Sequence, residues 1–241
     1  MRDGRKNIIP LSTAIILAGG LGTRLKSITK DLVPKPMVHV QGYPFLHWQM
    51  RYLKSQNIKK VIMAVSHHAK VIQDYFKDRY LNIPVFYSDE NKPLGTGGAI
   101  ARAMQMVEEK SSVILNGDTY FPVDLTKLRQ SHSKSKNDIS IAVKLMYKFD
   151  RYGTVEMDGT HRITDFNEKA YTDKGYINGG TYIINKSVFV DYNADSPFSL
   201  EKEIFEQKVK NLKIGAFRSK ARFIDIGIPE EYERIQSMRL K

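Results

Sequence analysis

The run Leu17-Ala18-Gly19-Gly20-Leu21-Gly22-Thr23-Arg24-Leu25, followed by Pro34-Lys35-Pro36-Met37, carries the residue types that hold phosphate. Glycines let the backbone come close, so successive N–H groups can converge on one anion. Arg24 adds a planar, permanently charged fork for phosphate oxygens. Lys35 adds a mobile point charge on a backbone stiffened by Pro34 and Pro36. Together they predict a triphosphate cradle. The dinucleotide fingerprint G-x-G-x-x-G fails, because Leu25 stands where a glycine is required after Gly20 and Gly22. No G-x-x-x-x-G-K-[ST] run is present either.

The elements that must position these residues follow from apolar periodicity. Thr13-Ala14-Ile15-Ile16-Leu17 reads as a buried strand, over 13–18, feeding straight into the glycines. Pro44 is placed to open a helix whose face is Phe45, Leu46, Trp48, Gln49, Tyr52 and Leu53. A strand over Lys60 to Val65, a helix over 69–78 and a strand over Pro84 to Tyr87 continue a parallel-sheet rhythm. A second glycine run, Pro93-Leu94-Gly95-Thr96-Gly97-Gly98-Ala99, is predicted as a loop leading into a helix from Ile100 to Glu109. Ser112 to Asn116 is predicted as a strand ending at Gly117-Asp118. Open α/β sheets bind ligands at the carboxyl ends of their strands, so both glycine runs and Asp118 are expected to face one crevice.

The second half is less regular. Thr154 to Met157 and Arg162 to Asn167 flank Asp158-Gly159 as a hairpin, and a strand spans about 175–184. Helices are predicted over 199–210 and 229–240, the latter opened by Pro229 with Glu230 and Glu231 in its first turn.

A chain of 241 residues suits one large α/β domain. Its 38 Lys+Arg against 26 Asp+Glu give a net charge of +12, but the cations are scattered and form no dense arm. A solvated basic surface is the reading, with neither nucleic acid nor membrane as partner. The absence of cysteine excludes disulfides and thiolate metal sites and fits a reducing cytoplasm. No segment approaches the roughly 18 apolar residues of a membrane span, and Ile8-Ile9-Pro10-Leu11 is too short and broken for a signal segment.

Leu17 to Leu25 with Pro34-Lys35-Pro36 resembles the opening motif of the sugar-1-phosphate nucleotidylyltransferases, and the resemblance runs from Ala14 to about Tyr232. Within that family the chain is similar to the D-glycero-α-D-manno-heptose 1-phosphate guanylyltransferases. The resemblance implies a Rossmann-like α/β fold of the GT-A type, with a mixed, mainly parallel central sheet flanked by helices. It implies one nucleotidyltransferase domain over 13–241 after an N-terminal extension over 1–12, with a nucleotide-binding half over 13–125 and a sugar-binding half over 126–241. The reaction implied is attack by a sugar 1-phosphate on the α-phosphorus of GTP, releasing pyrophosphate and forming a GDP-heptose for bacterial surface polysaccharide. Alternatives are a mannose-1-phosphate guanylyltransferase, a uridylyl or thymidylyl enzyme, or a non-catalytic module that senses nucleotide sugars.

The resemblance also distributes roles. Arg24, Lys35 and Asp118 are the expected catalytic residues. Mg²⁺ is the expected cofactor, held by Asp118 and by Asp225 in Phe223-Ile224-Asp225-Ile226-Gly227. Leu17, Ala18, Gly19, Gly20, Gly22, Thr23, Pro93, Leu94, Gly95, Thr96 and Gly117 are expected against the nucleotide. Glu90 falls at a position that meets the base edge. A carboxylate only accepts hydrogen bonds, which suits the adjacent N1–H and amine of guanine, whereas thymine and uracil set one imide donor between two carbonyls. Tyr152, Gly153, Glu168, Lys169, Asn178, Gly179 and Gly180 match the sugar-contacting positions. Where many members read Pro-Leu-Thr after the arginine, this chain has Ser27-Ile28-Thr29. A homodimer is the assembly considered, and the sequence does not fix the oligomeric state.

Overall fold

A computed structural model describes residues 11–20, 33–66 and 68–240. Its strands are β1 (Thr13–Leu17), β2 (His39–Val40), β3 (Tyr43–Pro44), β4 (Lys60–Val65), β5 (Arg79–Tyr80), β6 (Ile83–Asp89) and β7 (Ser111–Asn116). They continue with β8 (Thr119–Tyr120), β9 (Ile139–Phe149), β10 (Val155–Met157), β11 (Ile163–Phe166), β12 (Thr172–Asn185), β13 (Ile214–Ser219) and β14 (Ile224–Asp225). The α-helices are α1 (Phe45–Ser55), α2 (Ala69–Phe76), α3 (Gly95–Met104), α4 (Leu125–Ser135) and α5 (Pro229–Gln236).

Eight strands form the central sheet in the order β13-β9-β12-β7-β1-β4-β6-β5. β7, β1, β4 and β6 run parallel, as do β13 and β9, while β12 is antiparallel to both its neighbours and β5 to β6. The mixed, mainly parallel sheet is thus the one expected, and strands from both halves of the chain share it. Alternation along each strand gives the sheet two apolar faces. Ala14, Ile16, Val113 and Leu115 pack with Phe45, Leu46 and Met50 of α1 on one side. Ile15, Ile62, Ile114 and Tyr182 pack with Ile100 and Met104 of α3 and with Ile204 and Phe205 on the other.

β1 lies at the reversal of strand order. The chain passes from β1 to β4 and β6 on one side, then returns through α3 to β7 on the other. Diverging connections leave a crevice outside the carboxyl ends of β1 and β7, where Leu17 pairs with Asn116.

Several predicted boundaries are corrected. The second glycine run is not a loop before a helix at Ile100: α3 begins at Gly95 and ends at Met104. The helix expected over 199–210 is a π-helix over Leu200–Glu206, and the last helix stops at Gln236. Strands β9 and β13 escaped the periodicity reading altogether. Leu11 and Ser12, expected in an extension, pack on the domain: Leu11 is 3% exposed, and Ser12 Oγ donates to Glu109 Oε1 at 2.5 Å. No helix among the described residues is long and apolar enough to cross a membrane.

Candidate active site

At the crevice, the backbone after β1 is closely held. Ala18 N donates to Ala64 O at 2.8 Å, and Ser66 Oγ donates to Gly19 O at 2.7 Å. A Cβ on Gly19 would lie 2.9 Å from Ser66 Oγ, so glycine is needed there for contact with β4's carboxyl end. Among the described residues nothing lies within 4 Å of a Cβ built on Gly20. Gly22, Thr23 and Arg24 fall outside the described residues.

Lys35 opens a short 3-10 turn over Lys35–Met37, with Pro34 as its cap and Pro36 and Met37 buried. Those buried neighbours fix the stem and leave the side chain 11% exposed. Its Nζ donates to Asp118 Oδ2 at 2.6 Å and lies 3.8 Å from Asp225 Oδ1. One ammonium therefore faces two carboxylates supplied by residues 83 and 190 positions away in the chain.

Backbone contacts bring those carboxylates together. Gly117 N donates to Leu17 O at 2.9 Å, and a Cβ on Gly117 would run into that same carbonyl. β8 pairs antiparallel with β14, setting Thr119 opposite Asp225, and Ile226 N donates to Asp118 O at 3.0 Å. Asp225 Oδ1 in turn accepts from Gly227 N at 2.7 Å. Among the described residues no three His, Cys, Asp or Glu side chains gather around one point. Two carboxylates converging on a single cation still match magnesium, which takes one or two carboxylates and completes its shell with waters and substrate phosphates.

A cavity of about 310 Å³ opens beside Lys35 and Asp118, lined also by Leu17, Gly19, Gly20, Ser66, Glu90, Pro93, Gly95, Thr96, Asn116 and Gly117. Glu90 Oε2 accepts from Leu94 N at 2.9 Å, which orients the carboxylate at the start of α3. Burial raises its pKa, against the lowering effects of that hydrogen bond and of Arg102. The side chains of Ala18 and Leu94 are buried.

The second glycine run serves packing. Gly95 has φ +69°, and a Cβ there would lie 2.6 Å from Phe198 O. Gly97 N and Gly98 N both donate to Phe198 O, at 3.0 and 3.3 Å. Both amides are thus satisfied within the fold. Thr96 borders the cavity, but its hydroxyl donates to Glu201 Oε2 at 2.6 Å and accepts from Leu200 N at 2.9 Å, tying α3 to the π-helix.

The residues matched to the sugar divide. Tyr152, Lys169 and Asp225 line a second cavity of about 330 Å³ together with Arg151 and Gly227. Burial, then the Asp225 and Glu231 charges, push the Tyr152 phenol well above its usual range. Gly153 lies against Asn167 O, where a Cβ would clash. Glu168 is exposed and lines neither cavity. Asn178, Gly179 and Gly180 form a bulge of β12, between the pairs Asn178 with Val143 and Tyr182 with Ile141. There Asn178 Oδ1 accepts from Gly180 N at 2.9 Å, and Gly180, at φ +70°, lies against Thr119 and Asn116. Ser66, Asn116 and Gly227 belong to the site without having been expected. Ser66 and Asn116 had a signal, standing at the carboxyl ends of two strands in the parallel set.

Strand order, the glycine turn at the switch point and a lysine facing two aspartates define a nucleotidyltransferase. A family model for nucleotidyl transferases matches residues 13–240, and the chain belongs to that family. It is 49% identical over 219 residues to a D-glycero-alpha-D-manno-heptose 1-phosphate guanylyltransferase of Campylobacter jejuni subsp. jejuni serotype O:2, covering 91% of this chain and 96% of that one. A relative of the same name from Aneurinibacillus thermoaerophilus is 45% identical, with 92% and 96% covered. The crystal structure of HddC from Yersinia pseudotuberculosis complexed with GMP-PN superposes with a TM-score of 0.83 at 39% identity, covering 93% of this chain and 98% of that chain. The inositol-1-phosphate CTP transferase of T. maritima, at 20% identity and a TM-score of 0.74 over 93% and 95% of the two chains, shares the fold.

Proposed function

We propose that the protein transfers GMP from GTP to D-glycero-α-D-manno-heptose 1-phosphate, releasing pyrophosphate and forming a GDP-heptose. The observation that carries this is the Lys35 ammonium, held against Asp118 and Asp225 at the mouth of the crevice. Names of relatives at 49% and 45% identity, each matched nearly end to end, support the choice of substrates.

An oxygen of the sugar phosphate attacks the α-phosphorus. A new P–O bond forms as the bond from that phosphorus to the bridging oxygen breaks, and pyrophosphate leaves. A phosphate monoester has its second pKa near about 6, so the nucleophile is ionised at neutral pH and needs no general base. The task left to the protein is to bring two polyanions together and offset their charge. In this reading Lys35 bridges the sugar phosphate and the α-phosphate, and Arg24, outside the described residues, offsets the charge of the departing pyrophosphate. Asp118 and Asp225 would hold Mg²⁺, which when bound neutralises phosphate charge. The oriented Glu90 carboxylate accepts from the guanine edge. Tyr152 and Lys169, beside Asp225, face the sugar and its phosphate, with Gly153, Glu168 and the Asn178-Gly180 bulge completing that side.

The test is a pyrophosphate-release screen that crosses GTP, CTP, UTP, ATP and dTTP with heptose, mannose, glucose and N-acetylhexosamine 1-phosphates. GTP with the heptose is the expected pair. Release with UTP or dTTP as fast as with GTP would defeat the Glu90 assignment, and no release with any pair would defeat the proposal.

A further inference from the structure

Within the buried stripe of α1, otherwise Phe45, Leu46, Met50 and Leu53, stands one fully buried amide, Gln49. A leucine or methionine would suit that stripe, because an amide taken from water gains nothing unless its hydrogen bonds are remade. Gln49 Nε2 donates to Asn116 O at 2.7 Å and to Thr119 O at 2.8 Å. Both partners are carbonyls, so only the NH₂ end of the side chain can face them.

Those two carbonyls flank Gly117 and Asp118. We infer that Gln49 is a positioning residue that sets the place of the Asp118 carboxylate relative to Lys35. This inference rests on the guanylyl transfer proposed above. The amide spans the turn from β7 to β8, and β8 carries Asp225 through its pairing with β14. α1 follows the Lys35 turn in the chain after only β2 and β3, and Phe45 N donates to Val38 O at 2.9 Å, so the segment bearing the lysine is braced to the same helix. One side chain thereby links the helix braced to the lysine's segment with the turn carrying its carboxylate partner. Gly117 N ties the turn to β1 through Leu17 O and Ile226 N ties it to β14 through Asp118 O, and Gln49 adds the tie to α1.

The test uses Gln49→Met, which keeps the length and removes the donors, and Gln49→Glu, which keeps the shape. In Gln49→Met, kcat is expected to fall by about 100-fold, the cost typical of a displacement near 1 Å. The half-activating Mg²⁺ concentration should rise and Mn²⁺ binding, read by electron paramagnetic resonance without substrates, should weaken, with KM for GTP unmoved. A folded variant of lower thermal stability with unchanged Mn²⁺ binding and Mg²⁺ activation overturns the inference, because a purely structural role predicts that outcome. In Gln49→Glu the introduced carboxyl can donate when protonated and repels both carbonyls when ionised. Its activity relative to wild type should therefore drop as pH rises, and a flat ratio overturns the inference even if Gln49→Met does not fold. Wild-type protein that releases no pyrophosphate defeats the proposed function, while the Mn²⁺ measurement still judges Gln49.

Discussion

Gly227→Ala is expected to cost catalysis far more than stability. The backbone at Gly227 has an ordinary negative φ, so alanine introduces no strain there, and its effect comes entirely from the new methyl. A Cβ at this position would lie 2.8 Å from Asp225 Oδ1, 3.1 Å from Lys35 Cε and closer still to Lys35 Nζ, whereas ordinary contact begins at 3.4 Å. The ammonium is the far end of a flexible side chain and yields first, retreating by about 1 Å from the place where it meets Asp118. A misplacement of that size costs about 100-fold in rate, or ~2.7 kcal/mol of activation free energy. Overpacking at a movable side chain costs the fold about 1 kcal/mol, a fall of about 3 °C in melting temperature for a chain of this size. Initial rates of pyrophosphate release, with calorimetry alongside, separate the two effects. In a Lys35→Ala background the same glycine substitution should change little further, since the group it displaces is gone. Wild-type kcat in Gly227→Ala would refute the placement of Lys35.

Other substitutions probe the remaining assignments. Asp225→Asn should raise the half-activating Mg²⁺ concentration by about 10- to 100-fold, and an unchanged titration would remove Asp225 from the metal site. Glu90→Gln should weaken discrimination for GTP while raising the melting temperature at pH 7. Burial raises the folded-state pKa of Glu90, so its charged form costs stability above that value, and the cost vanishes below the ordinary 4.5, where both states are protonated. Melting curves of variant and wild type should converge as pH falls through that window, and a constant gap would contradict the burial argument. Thr96→Val should lower stability by about 1–3 kcal/mol, because Leu200 N and Glu201 each lose a partner. KM for GTP should stay put, and a large rise in KM with stability intact would return Thr96 to the nucleotide.

The first half of the fold was legible because its strands are short apolar runs bounded by turns, and because each fills a layer between two apolar faces. The second half was not. β13 is an edge strand, Ile214-Gly215-Ala216-Phe217-Arg218-Ser219, whose small residues dilute the signal, and β9 trails into Lys144 and Lys148 beyond its buried start. Leu200, Ile204 and Phe205 fit an α-helical period, so nothing in the sequence separates the π-helix from an α-helix. At the site, Lys35 and Asp118 stood out because their neighbours, prolines in one case and glycine in the other, constrain the backbone locally. Gln49 and Gly227 did not, because each matters through atoms that chain order keeps distant: Gln49 meets carbonyls 67 and 70 positions away.

The two glycine runs differ in what their backbone donors do. Both follow a strand in the parallel set and both border one crevice, so as strings they are equivalent. What separates them is the destination of their backbone donors. Gly97 and Gly98 spend theirs on Phe198 O, and a Cβ at Gly95, Gly97 or Gly98 would meet the 196–200 segment, so these glycines exist to let the π-helix approach α3. Among the described residues, Gly19 O accepts from Ser66 and no neighbour lies within 4 Å of a Cβ on Gly20. A run of glycines binds an anion only where its N–H groups remain unclaimed by the fold. With the cradle proposed on the first run, alanine at Gly97 should unfold or loosen the helix pair where alanine at Gly20 should leave the fold intact and weaken nucleotide binding.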